Sequence, residues 1–358
     1  MRVLAFGTYE RDYPRNAQVR SCLRAAGVEV VERHEPVWEG RRHKFAAGAG
    51  ALARLGVAQA RLLARRQPEP FDAVLVGYPG HLDLWAARRA AGRRPVVFNP
   101  LVSLTDTLVE DRRRFAPGSP AARAVRALDR AALRAADLVV ADTDANARYL
   151  RDLAGLPDAR VATCLVGAEE RVFSPGWRRP DEFSALFVGK LIPLHGLETI
   201  LAAARLAADL RFRIVGSGQL EALLRERPAN VEHVPWVPYE GLAAELHGAG
   251  AALGVFGTSA KAARVIPNKV FQALACGTPV ITAETEGARE LLVGGESALL
   301  VPPGDPDALA GAVRRLAGDA ALAERIAAGG RAAYEERASE AVLGRRWREL
   351  LERAAAGG

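Results

Sequence analysis

Cysteine is scarce and scattered: Cys22, Cys164 and Cys276 are the only three in 358 residues. An odd, widely spaced set offers neither a disulfide framework nor a paired-cysteine zinc pattern. These residues are expected as small buried groups in a reducing compartment. No apolar run reaches the ~20 residues that a membrane-spanning helix needs, and the stretch after Met1 is too short for a secretory leader. Six histidines show no metal-ligand spacing. The segment Gly7-Thr8-Tyr9-Glu10-Arg11-Asp12 lacks the three-glycine dinucleotide fingerprint, and the phosphate loop of ATPases is missing as well. Gly216-Ser217-Gly218 lacks the five-residue frame of a hydrolase nucleophile elbow. No aromatic-plus-basic module for nucleic acid is present. The expectation is a cytoplasmic globular protein that binds no nucleic acid.

Ala and Arg are plentiful; apolar residues make up 49% and charged residues 25%, with a net charge of +7. That charge is too modest to choose among phosphorylated substrates, anionic lipid and other polyanions. The length exceeds what one core usually supports, so two domains are expected. Short Val- and Leu-rich runs at 3–6, 28–33, 73–76, 95–98 and 138–141 read as buried strands. Amphipathic segments at 19–26, 49–64, 84–91 and 120–136 lie between them. The alternation breaks at 170–180, where Phe173-Ser174-Pro175-Gly176-Trp177 disfavours helix.

A second series follows, with strands expected at 185–188, 212–215, 231–234, 251–255, 279–282 and 298–301. Helices are expected at 197–208, 220–225, 241–248, 269–275, 288–292 and 307–317. A final amphipathic stretch, 340–355, carries Val342, Leu343, Trp347 and Leu350 at helical spacing. The fold class is therefore α/β, with two Rossmann-like, doubly wound parallel-sheet lobes facing across a cleft. The divisions are 1–168, 169–336, and a helix at 337–358 packing back toward the first lobe.

The second half carries the densest chemistry. Phe187-Val188-Gly189-Lys190-Leu191 ends a strand, and Pro193-Leu194-His195-Gly196-Leu197-Glu198 opens a helix. Gly189 lets backbone approach a ligand, Lys190 adds a cation, and the helix start offers N–H groups to a diphosphate. Ile214-Val215-Gly216-Ser217-Gly218-Gln219 and Val234-Pro235-Trp236-Val237-Pro238-Tyr239 follow. Then come Ile266-Pro267-Asn268-Lys269-Val270-Phe271-Gln272-Ala273-Leu274-Ala275-Cys276-Gly277 and Thr285-Glu286-Gly287-Ala288-Arg289-Glu290.

In order and spacing this series resembles the donor lobe of glycosyltransferase family 4, retaining enzymes of the two-lobed GT-B fold. The likeness is strong over 184–316, within the subgroup carrying Pro-Leu-His-Gly and Ile-Pro-Asn-Lys. Gly167-Ala168-Glu169-Glu170-Arg171-Val172-Phe173 resembles that family's approach to the second lobe. The resemblance implies donor binding by Gly189, Lys190, His195, Gly216, Ser217, Val237, Asn268, Lys269, Gln272, Gly287 and Ala288. Lys190 would grip the diphosphate, and Glu290 would face the sugar and phosphate. Two positions depart from the family: Arg264 and Gln272 stand where paired glutamates are usual, and Arg264 is expected to hold phosphate instead.

In the first half Gly7 and Thr8 are expected to pass close to the donor. His81 and Asn99, at other strand ends, are catalytic candidates beside Lys190 and Glu290. Asp106 and Asp111 are candidate acceptor contacts. Asp142-Thr143-Asp144 has two readings, a metal-binding triplet or a helix cap at Thr143 or Asp144; the cap is preferred. The basic segment 41–66, with Arg41, Arg42, His43, Lys44, Arg54, Arg61, Arg65 and Arg66, is either a solvated face or a contact with the inner membrane face.

The expected activity is retaining transfer of a sugar from a nucleotide-sugar donor to a glycan, lipid-linked or small-molecule acceptor, without cofactor or metal. The alternatives are a degenerate GT-B protein that binds nucleotide-sugar without turnover, and a nucleotide-sugar epimerase.

Overall fold

A computed structural model describes residues 1–38, 49–64 and 69–357. The chain divides into two compact units, Met1–Val166 with Glu340–Gly358, and Gly167–Ser339.

The first unit runs β1 (Arg2–Gly7), α1 (Pro14–Ala25), β2 (Glu29–His34), α2 (Ala49–Ala64), β3 (Ala73–Val76), α3 (Leu84–Ala91) and β4 (Val96–Phe98). A π-helical turn at Asp106–Asp111 precedes α4 (Pro120–Ala135), β5 (Leu138–Ala141), α5 (Asp144–Ala154) and β6 (Val161–Thr163). All strands pair in parallel, in the order β2-β1-β3-β4-β5-β6. Strands β3 to β5 are buried throughout, as covering by helices on both faces demands. Chain direction across the sheet reverses between β1 and β3, so their carboxyl ends flank a crevice suited to ligands.

The second unit runs β7 (Ser184–Val188), α6 (Leu197–Leu206), β8 (Arg211–Val215), β9 (Val231–Val234), α7 (Leu242–His247) and β10 (Ala251–Leu253). It continues with α8 (Ala260–Arg264), α9 (Asn268–Cys276), β11 (Val280–Ala283), α10 (Glu286–Arg289), β12 (Leu299–Val301), α11 (Pro306–Gly318) and α12 (Ala320–Arg337). The order is β12-β11-β10-β7-β8-β9, again all parallel, and the switch falls between β7 and β10. Its core gathers Phe187, Leu197, Ile200, Phe212, Ile214 and Phe256, among others.

The chain closes with α13 (Glu340–Ala356), which belongs to the first unit. It buries Leu343, Trp347, Leu350 and Leu351. Gly344 sits against the carbonyl of Cys22 on α1, where a side chain would collide. The Arg15 guanidinium lies 5.6 Å from the Trp347 ring.

Helix starts follow the capping rule. Thr143 accepts from the Asn146 N–H at 3.1 Å, Ser119 from Ala122 at 3.2 Å, and Asp319 from Leu322 at 2.9 Å. The acidic triplet is therefore a helix start: Asp142 accepts from the Asn146 amide at 2.6 Å, and Asp144 from the Thr163 hydroxyl at 2.5 Å. Three elements went unread in the sequence, β6, α8 and α12, and the helix expected at 220–225 is a 3-10 segment, Glu221–Glu226.

Candidate functional site

The site of the second unit grows from the carboxyl end of β7. Gly189 has φ +144 and Gly216, one strand over, φ +141, and the two backbones meet face to face. Their N–H groups extend the sheet, Gly189 donating to Val215 and Gly216 to Val234, each at 2.9 Å. After Lys190, which is exposed, the chain makes a 3-10 turn at Pro193–His195 and enters α6 through Gly196 at φ +68. A side chain on Gly196 would strike Phe256 and Gly257, the exit of β10. The turn is thus pinned at the switch point, with the first N–H groups of α6 beside it.

Lys269, near the start of α9, reaches into this turn. Its Nζ lies 3.5 Å from the centre of the Phe187 ring and close behind Gly189. The side chain is only 8% exposed, and its ammonium has no hydrogen-bond partner. His195 also packs on Phe187, ring centres 5.4 Å apart, and its Nδ1 donates to the Lys190 carbonyl at 2.5 Å. Burial pushes the Lys269 pKa well below that of an ordinary amine. Burial, then the charge of Lys269, hold His195 well below the usual imidazole range; the bond to Lys190 opposes them and Lys261 adds to them. Basic groups crowded and desolvated in this way hold their charge at a cost that a nearby anion would lower.

Around it, Asn268 opens α9 half-buried, and Arg264 ends α8 half-buried. Gly287 packs on the Arg264 carbonyl with no room for a side chain, while Thr285 caps Ala288 at 3.1 Å. Glu290 closes α10. Gln272 lies buried one turn along α9 from Lys269. Ser217 is exposed and Val237 half-buried. Trp236, two residues past the end of β9, is 73% exposed.

In the first unit the expected contacts turn inward. Thr8 gives its N–H to Asp83 at 2.8 Å and its hydroxyl to the same carboxyl at 3.1 Å, while accepting from Trp38 at 3.1 Å. Gly7 has no room for a side chain because Asp83 fills that space. Burial raises the Asp83 pKa to about 6 against the hydrogen bonds from Thr8 and Gln59. Asn99, expected to be catalytic, has both ends of its amide engaged, by Arg15 at 2.9 Å and the Val140 carbonyl at 2.6 Å. His81, the other candidate, is buried edge-on to Phe98, with Nε2 3.4 Å from Asp129. Asp129 in turn accepts from the N–H groups of Leu104 and Thr105 at 2.8 and 2.7 Å. Both side chains are thus buried at the strand ends of the first unit. Asp106 and Asp111 are buried in the π-helical turn.

Two family models cover most of the chain: "Glycosyl transferase 4-like domain" matches residues 1–167, and "Glycosyl transferases group 1" matches 182–319. The D-inositol 3-phosphate glycosyltransferase 1 of Catenulispora acidiphila is 30% identical over 90% of this chain and 79% of its own length. The chain belongs to glycosyltransferase family 4. A D-inositol 3-phosphate glycosyltransferase of Acidothermus cellulolyticus is 29% identical over 74% of this chain, and the match takes in 64% of that protein. In fold, this family-4 chain is similar to the sucrose-phosphate synthase of Thermosynechococcus elongatus, with TM-score 0.74 and 18% identity over 100% of both chains. It is also similar to Anabaena HepE solved with UDP and glucose, with TM-score 0.68 and 16% identity over 98% of this chain and 99% of that one. The fold is GT-B, and the protein is a glycosyltransferase.

The structure of this family-4 enzyme brings Gly189, His195, Gly216 and Lys269 into one cluster. Among the described residues, no group of three or more His, Cys, Asp or Glu side chains could hold a metal ion. No helix among them is long and apolar enough to cross a membrane. Of the basic segment 41–66, Arg41, Arg42, His43, Lys44, Arg65 and Arg66 lie outside the described residues; Arg54 and Arg61 are exposed on α2.

Proposed function

We propose that the protein transfers a sugar, with retention at the anomeric carbon and without a metal ion, from a nucleoside-diphosphate sugar to a hydroxyl of a glycan, lipid-linked or small-molecule acceptor. The observation that carries this reading is the buried, unpartnered ammonium of Lys269 behind the Gly189 turn. A diphosphate placed there meets Lys269, the exposed Lys190 and the first N–H groups of α6. That UDP is bound by the similar HepE supports the choice of ligand class.

In the reaction the acceptor oxygen bonds to the anomeric carbon on the face the diphosphate leaves. The carbon–phosphate oxygen bond breaks, and the acceptor proton passes to the departing phosphate. Fixed cations beside the leaving group stabilise the charge that develops there. His195, neutral and donating through Nδ1 to the Lys190 carbonyl, leaves Nε2 as an acceptor for a water or a hydroxyl.

The test is a thermal-shift panel of UDP-, GDP-, ADP- and dTDP-sugars, followed by NMR of the anomeric product with the sugar that binds. One donor is expected to raise the melting temperature and to yield product of unchanged anomeric configuration. An inverted product overturns retention, and activity abolished by EDTA and restored by Mg²⁺ overturns metal independence. No shift with any donor overturns the donor site.

A further inference from the structure

We propose that the first unit docks on the surface of an anionic lipid bilayer through the joint outer face of α2 and α3, independently of the donor site. Val57 and Leu63 stand out from α2, 53% and 45% exposed, and Trp85 from α3, 49% exposed. Arg54 and Arg61 on α2, and Arg88 and Arg89 on α3, are exposed beside them. Neither helix contains an Asp or Glu. The other exposed positions described on α2 are all Ala or Gly.

Topology puts the two helices side by side. The connections from β2 to β3 and from β3 to β4 cross the sheet in the same direction. Right-handed crossovers therefore lay α2 and α3 on one face of the sheet, running parallel. Gln59 of α2 donates to Asp83, the residue before α3. Leu63, one turn beyond Gln59, thus lies on the flank of α2 nearest α3, while Leu55, Ala58 and Leu62 form the buried side. Trp85, Arg88 and Arg89 share one side of α3 at helical spacing. Past them opens a cleft of about 960 Å³, where Arg134 and Arg160 join the lining. Asp137 is the one acid there, and it is taken by Arg88 and by the Val96 N–H at 2.7 Å.

A bilayer surface is the occupant whose chemistry matches this face. Interfacial helices sink apolar side chains into the boundary between headgroups and acyl chains, with Trp at headgroup level. Arginine lays its stem along the apolar layer while its guanidinium reaches lipid phosphate. Arg61 lies 3.6 Å from Glu35 and Arg88 pairs with Asp137, yet both arginine side chains stay exposed. A protein partner is met by a pattern of hydrogen-bonding groups, whereas the only polar side chains exposed on α2 are two arginines. Asp83, bonded by Gln59, also holds Thr8 at the end of β1. A bilayer on α2 and α3 would therefore border the crevice between β1 and β3.

The experiment is co-sedimentation of the full chain with vesicles of phosphatidylcholine alone and of phosphatidylcholine mixed with phosphatidylglycerol. Binding to the anionic vesicles is expected at low salt, with little to the neutral ones and a marked loss at high salt. Arg54→Gln with Arg89→Gln is expected to weaken partitioning about fivefold per arginine. Leu63→Gln with Trp85→Gln is expected to weaken it at least about tenfold, with the urea unfolding midpoint unchanged. Arg225→Gln with Arg325→Gln, a charge-matched pair exposed on the second unit, is expected to bind as wild type does. Equal binding to both kinds of vesicle, or binding to neither, overturns the proposal. Wild-type partitioning by either α2–α3 variant overturns it too. So does an equal loss in the control pair, which would show attraction by net charge alone.

Discussion

Gly216 turns onto the carbonyl oxygen of Gly189, with φ values of +141 and +144, so a side chain on Gly216 would strike the Gly189 backbone. Both conformations are open to glycine and strained for other residues. Gly216→Ala is expected to lower stability by about 2–4 kcal/mol through collision and strain together, and to weaken nucleotide binding further in the protein that still folds. Urea unfolding and titration with nucleotide check this. Unchanged stability and affinity would show that the two strand ends separate at no cost.

Lys269 makes binding depend on protons. The unfolded chain keeps this ammonium proton up to about pH 10.4, whereas burial depresses the folded value well below that. The stability contributed by the group is present above about pH 10.4 and is lost as pH falls toward the folded value. An arriving diphosphate favours the ammonium again, so the complex takes up a proton. Calorimetry in two buffers of different ionisation heat, repeated from neutral to alkaline pH, is expected to show proton uptake on binding, up to about one proton per site. Lys269→Met is expected to abolish that uptake, weaken nucleotide binding and stabilise the empty protein by about 1–3 kcal/mol. Identical heats in both buffers at every pH would refute the linkage.

Asp83 shows the opposite sign. Its folded pKa is raised to about 6 from an ordinary carboxyl. Its contribution is complete below about pH 3.9 and is lost as pH rises through about 6, roughly 3 kcal/mol in all. The stability gap between wild type and Asp83→Asn is expected to move in the variant's favour across that window. Denaturant unfolding at pH 4, 5, 6 and 7 measures it, and parallel curves would reject the assignment.

Arg15 and Asn99 predict a loss of stability. Arg15 gives all three nitrogens away, to Asn99 at 2.9 Å, Leu165 at 2.8 Å and Cys164 at 3.1 Å. Asn99→Ala strands one guanidinium donor and the Val140 carbonyl, and is expected to cost about 2–4 kcal/mol. Transfer rate per folded molecule should stay within about threefold, a difference of about 0.7 kcal/mol. A thousandfold loss of rate without loss of stability would return Asn99 to the catalytic list.

The parallel sheets were legible because buried strands leave unbroken apolar runs: 73–76 and 138–141 match their strands residue for residue. The edge strand β6 is three residues long and carries Thr163, too brief and polar to register. Helix α12 escaped because Ala, Arg and Glu alternate without a clear apolar stripe, and its Gly329-Gly330 pair reads as a break. In space that pair lets the helix pass the carbonyls of Glu296 and Ser297. The glycine turns of the donor site were readable as motifs. The isolation of the Lys269 ammonium was not, since it depends on Phe187 lying beneath it. Nor was the inward turn of His81 and Asn99, which is set by Asp129 and Arg15 from distant segments.

The return of α13 to the first unit has a consequence for synthesis. The nascent chain delivers α1 more than 300 residues before α13, the helix that covers it, so the Cys22 carbonyl and the Arg15 face stay uncovered until α13 is made. The second unit, whose residues form one continuous segment, is free to complete itself first. Premature termination anywhere after Ser339 would therefore injure the amino-terminal half of the molecule, leaving α1 with an exposed seam for chaperones and proteases.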